Sequence, residues 1–135
     1  MKKEYTGEII TVNDEFHYPI IIIHISGYIK EEYHSFKFIV DTGFTDFMQM
    51  PFDIGKHLGL IVIGAEEMKI ANGASQANLS CLGKIKYEDM VIEENIQLSL
   101  KNDSPYMVGM KFLKKFDLDL ELSIKNKVVK LIRTE

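Results

Sequence analysis

Phe36-Lys37-Phe38-Ile39-Val40-Asp41-Thr42-Gly43 decides how this chain is read. The apolar run reads as a strand, and it delivers an aspartate into a tight Thr-Gly turn. That is what a water-activating carboxylate requires. The strand fixes the direction of Asp41, the Thr42 hydroxyl can brace the turn, and Gly43 lets backbone approach backbone closely. The same tripeptide is also ordinary turn chemistry, so its meaning depends on its surroundings.

Working outward, Tyr33 to Val40 is expected as the strand entering Asp41. Gly7 to Val12 and Tyr18 to Ser26 are expected as two earlier strands joined by the turn-prone Asn13-Asp14-Glu15. Ile20 to Ile23 is β-branched throughout without alternation, which predicts burial on both faces. Pro51 suits the first turn of a short helix through Leu58, with Gly59 as its stop. Further strands are expected at Glu67 to Ala71, Asn78 to Tyr87, Met90 to Ile92 and Ile96 to Leu100. Asn72-Gly73 between the first two is a hairpin signal, because both residues tolerate positive φ. Pro105 precedes the apolar Tyr106-Met107-Val108, and Gly109 opens a second short helix through Lys115. Two strands, Asp117 to Ile124 and Val128 to Ile132, close the chain around Lys125-Asn126-Lys127. The expectation is a mostly β chain with one or two short helices.

At 135 residues, one domain over residues 1–135 is expected, with enough chain for a core. Sixteen basic against 20 acidic side chains give a formal net charge of -4, no footprint for nucleic acid or an anionic membrane. The single cysteine, Cys81, cannot form an internal disulfide. Residues Met1 to Gly7 are too polar for a signal peptide, and the apolar run at Ile20 is far too short for a membrane span. A cytoplasmic protein is expected.

Taken in order, these pieces resemble the retropepsin-like aspartic proteases, and within them the small prokaryotic branch. The resemblance rests on Asp41-Thr42-Gly43-Phe44, Met50-Pro51, Leu58-Gly59-Leu60, Ala71-Asn72-Gly73-Ala74-Ser75 and Val108-Gly109-Met110. It covers roughly Tyr18 to Ile132. It implies a single-lobe, closed retropepsin-like β-barrel and an aspartic endopeptidase acting on peptide or protein substrate. Asp41, Thr42 and Gly43 would be the catalytic loop. Asn72, Gly73 and Ala74 would form the tip of a flap over substrate, with Phe44 beside the channel and Gly109 packing against the loop. The arginine and acid that pair in retroviral members are replaced by Met110 and Thr45 here.

The chemistry of such a hydrolysis requires two carboxylates sharing one proton. The chain has one Asp-Thr-Gly. Asp117, Asp119 and Glu121 alternate with leucines, which places them on the wet face of a strand. The second carboxylate is therefore expected from a second copy, in a two-fold homodimer. An alternative is a peptide-binding module of the same fold with weak or no turnover; another is a plain structural turn in an unrelated β-barrel.

His17, His24, His34 and His57 lack metal-ligand spacing, so neither metal nor other cofactor is expected. His24 reads as a hydrogen-bonded core residue and Cys81 as a buried inert thiol. No dinucleotide or phosphate loop is present.

Overall fold

The computed structural model describes residues 1–69, 73–101 and 103–134. Its described residues form ten strands and two short helices. In chain order these are β1 (Lys2–Val12), β2 (Phe16–Ser26), β3 (His34–Val40), β4 (Met48–Pro51), α1 (Phe52–Gly55), β5 (Ile61–Lys69) and β6 (Ser75–Tyr87). β7 (Met90–Ser99), β8 (Met107–Val108), α2 (Met110–Lys115), β9 (Asp119–Ser123) and β10 (Val128–Thr134) follow. All ten strands belong to one sheet, ordered β5-β6-β7-β4-β8-β3-β2-β1-β10-β9. β2 also pairs with β6, His24 to Ser26 lying against Lys84 to Lys86. Strands far apart in the order are thereby brought together around a shared interior.

That interior follows from alternation. Ile21, Ile23 and Ile25 of β2, Phe38 and Val40 of β3, and Ile85 and Tyr87 of β6 are all buried. Phe112 and Phe116 of the α2 segment close over them, their ring centroids 4.8 Å apart. Lys115 ties α2 to β7 through Glu94 at 3.4 Å.

Several sequence expectations are corrected. Ile20, Ile21 and Ile23 are buried, but Ile22 is 52% exposed, so the isoleucine run is not covered on both faces. Its cross-strand partner is Lys37, which reaches Glu8 at 3.3 Å on an open outer surface. β4 carried no β-branched residue and ended in proline, and so gave no strand signal; all four of its residues are nevertheless buried. Met90 to Ile92 and Ile96 to Leu100 are one strand, β7, because Glu93 and Glu94 stay in register with Lys84 and Gly83 of β6. α1 is shorter than expected, its helix giving way to tighter turns in which His57 N–H donates to the Ile54 carbonyl.

Polar side chains cluster inside the β6–β7 pairing. Gln76 Nε2 donates to Ser99 Oγ at 2.6 Å and to Asn78 Oδ1 at 3.1 Å, and Ser99 Oγ lies 2.6 Å from Ser104 Oγ. The Tyr87 hydroxyl differs: it is buried without a hydrogen-bond partner among the described residues. Burial drives its ionisation well above the ordinary tyrosine range.

Removing that hydroxyl relieves a desolvation cost without breaking a bond. Tyr87→Phe is therefore expected to be neutral or to stabilise by up to about 1 kcal/mol in urea unfolding. Phe112→Ala, by contrast, is expected to cost about 3–5 kcal/mol by the same measurement, because it opens a cavity in the core.

Candidate active site

β8 is only two residues long, yet it organises the site. It pairs parallel with β3, matching Val40 to Val108, and antiparallel with β4, matching Met48 to Val108. β3 and β4 are the strands on either side of the Asp41 loop, so the late segment is wedged between the loop's two roots. Asp41 N–H donates to the Val108 carbonyl at 2.9 Å, which fixes the aspartate at the strand end.

The loop is also bonded within itself. Gly43 N–H donates to Asp41 Oδ1 at 2.9 Å, and Phe44 N–H to the Asp41 carbonyl at 3.0 Å. Two more bonds attach it to the segment after β8: Met110 N–H to the Phe44 carbonyl at 2.9 Å, and Gly109 N–H to the Phe47 carbonyl at 3.2 Å. Gly109 is required by space rather than torsion, since its backbone is extended. A Cβ there would lie 2.0 Å from the Phe44 carbonyl oxygen and 2.5 Å from that of Asp46.

Asp41, Thr42 and Gly43 are exposed, and Asp41 and Thr42 border a groove of about 520 Å³. Ile39, Met107, Tyr18 and Pro19 line it from one side, Leu120 and Leu122 of β9 from another. Alternation marked Asp119 and Glu121 as wet, and they are exposed. What the sequence left unread is that the intervening leucines border the Asp41 groove. The strand pattern assigns a face, but only the curl of the sheet assigns a neighbour.

Phe44 is 8% exposed, so little of its ring is open to an incoming chain. Thr45 and Met110 border a separate depression with Lys111, Lys114 and Lys115. At the other end of the sheet, β5 and β6 form the expected hairpin, paired from Lys69↔Ser75 down to Ile61↔Leu82. Five residues connect them. Gly73 has φ +85°, a conformation that glycine adopts freely, and Ala74 is exposed. Asn72 lies outside the described residues. The hairpin begins at Ile61, earlier than sequence suggested, with Ile61, Val62 and Ile63 about half exposed.

His24 Nδ1 lies 2.7 Å from Ser35 Oγ. Cys81 is fully buried, and burial raises its thiol pKa. Among the described residues no group of three His, Cys, Asp or Glu could hold a metal ion, and no helix is long and apolar enough to cross a membrane.

Gly109→Ala should force the Phe44–Phe47 backbone away from α2. A loss of about 1–3 kcal/mol is expected in thermal or urea unfolding, with greater hydrogen exchange at the amides of Gly43 and Phe44.

No family model matches this sequence, and no curated protein matches it. Solved structures do. EIAV protease, complexed with the inhibitor HBY-793, superposes with a TM-score of 0.60 at 17% identity, covering 84% of this chain and 100% of its own. A retropepsin-like aspartic protease from Rickettsia conorii superposes with a TM-score of 0.60 at 15% identity, covering 98% of this chain and 93% of its own. The wedged β8, the strapped Asp41 loop and the β5–β6 hairpin thus belong to a mostly β chain with the retropepsin-like fold of aspartic proteases.

Proposed function

We propose that this chain is an aspartic endopeptidase whose catalytic dyad is formed by Asp41 from each of two copies in a homodimer. The observation that carries this reading is the position of Asp41: exposed at a groove, at the end of a strand, with its backbone bonded to Val108 and its loop bonded to Gly109 and Met110. Such anchoring holds a carboxylate in place without burying it. The β2–β6 pairing supports reading the strands as the closed barrel of one domain spanning residues 1–135. A fold whose one cysteine is a buried thiol suits the cytoplasm.

In the proposed chemistry the two Asp41 carboxylates share one proton. The ionised one takes a proton from water as the water oxygen attacks the scissile carbonyl carbon. The protonated one donates to the carbonyl oxygen. As the C–N bond breaks, the protonated Asp41 donates to the departing amine and the ionised one takes a hydroxyl proton from the tetrahedral intermediate, which leaves the acid product and restores the singly protonated dyad. Two like charges at close range repel, which is why the pair would hold one proton between them.

Thr42 would bond across the two-fold axis, and Gly43 would let the substrate backbone approach. The tip formed by Asn72, Gly73 and Ala74 would close over an extended peptide and exclude water. Phe44 would act from beneath the loop. Gly109 contributes by keeping loop and late segment in contact.

Cleavage of a mixed peptide library by purified protein, followed by mass spectrometry, tests the assignment. The rate should rise and fall on the acid side of neutral, as expected for a shared proton. Asp41→Asn should lower it by roughly 10²–10⁴-fold while thermal unfolding stays unchanged. Uptake of peptides without any cleavage across the acid range, by protein confirmed as a dimer, would favour the inert binding module instead.

A further inference from the structure

We infer that the lysine-lined depression beside the Asp41 loop is a substrate subsite: it takes an acidic side chain of the bound peptide, within about four residues of the scissile bond. The inference rests on the proposed peptidase reading and adds the class of substrate.

The Asp41 loop has a pocket on each flank. Asp41 and Thr42 border the apolar groove, while Thr45 borders an open depression of about 700 Å³ with Met110, Lys111, Lys114 and Lys115. No acidic side chain lines that depression. Loop and helix are fixed to one another there, since Met110 N–H donates to the Phe44 carbonyl at 2.9 Å. From Asp41 to Thr45 the chain can span at most about 14 Å, and an extended peptide advances about 3.3 Å per residue. A peptide whose scissile bond lies at Asp41 therefore reaches Thr45 within about four residues.

Charge identifies the occupant. α2 turns Phe112 and Leu113 into the core and leaves Lys111, Lys114 and Lys115 together on its outer side. At spacings i, i+3 and i+4 these are neighbours that repel one another. Lys114 and Lys115 stand in the last turn, where the helix dipole favours a cation. Lys111 stands in the first turn, where the dipole opposes one. Of the three, only Lys115 is ion-paired among the described residues, to Glu94. The helix gives no reason for the Lys111 charge, and both Lys111 and Lys114 keep theirs for a ligand. In a chain of net charge -4 this is a local reversal of sign that draws anions in. A glutamate entering the depression meets the Lys111 and Lys114 ammoniums, with exposed Met110 beside its methylenes. The proposed two-fold dimer carries two such depressions, equally distant from the dyad on its opposite sides. Acid preference is therefore expected at matching positions before and after the scissile bond. Exposed ammoniums are screened by salt, so the preference sharpens at low ionic strength.

Paired peptides test the subsite on the full chain. Each carries a central Leu–Phe bond, suited to the apolar groove, and glutamate or glutamine at matching positions up to about four residues from it. Wild type is expected to cleave the glutamate member better, by about three- to tenfold in kcat/KM at low salt, with the gain in KM. Lys111→Gln with Lys114→Gln should abolish the preference, and Lys111→Glu with Lys114→Glu should invert it in favour of a lysine peptide. Cleavage with no glutamate preference at any position, or a preference that charge reversal leaves intact, overturns the subsite while the peptidase reading stands. Binding of the same peptides to the Asp41→Asn protein, read by fluorescence anisotropy, separates the two ideas. If wild type cleaves nothing, glutamate-selective binding that charge reversal inverts upholds the subsite and removes the peptidase reading. Equal binding of the two members, or binding of neither, overturns the subsite.

Discussion

The backbone contact between Gly109 and the Phe44–Phe47 stretch is the constraint on which the rest of this structure depends. Two segments more than sixty residues apart in sequence must approach until a single methyl group would collide with a carbonyl oxygen. From that approach follow the Gly109 and Met110 hydrogen bonds, the lodging of Val108 between Val40 and Met48, and hence the direction of Asp41. The core supports it from below, through Phe47, Phe112 and Phe116 in mutual ring contact. Packing and site are the same set of atoms viewed from two sides.

Exposure of Asp41 then acquires meaning. A carboxylate placed at a surface groove and held by its backbone remains available for an encounter, where a buried one would have to be neutralised or paired within its own chain. Under the proposed dyad each copy would supply a rigid half of a site, and the energetic cost of bringing two carboxylates together would fall on the interface rather than on the fold of either copy.

Much of this was legible in the sequence, for reasons that can be located. Val40-Asp41-Thr42-Gly43 and Val108-Gly109 were readable because each couples a β-period apolar run to a residue with a special backbone role. The β5–β6 hairpin was readable from Asn72-Gly73. β4 was not, because its burial comes from β7 and β8 on either side rather than from its own side chains. Ile22 misled for the opposite reason: its side chain suggests a core, but the outer face of β2 is uncovered there. Leu120 and Leu122 were readable as a strand face, while their place beside Asp41 depends on curvature that no local pattern encodes.

The pairing of β1 with β10 has a mechanical consequence. Lys2 lies opposite Thr134, so the two outermost strand residues sit side by side and the ladder runs inward from them to Glu8 and Val128. Tension applied between those ends would load the rungs one after another, as in a zipper, instead of shearing them together. Pulled from its ends, the molecule opens rung by rung at low force, and the peeling exposes β9 and β2 before it reaches the loop that carries the aspartate.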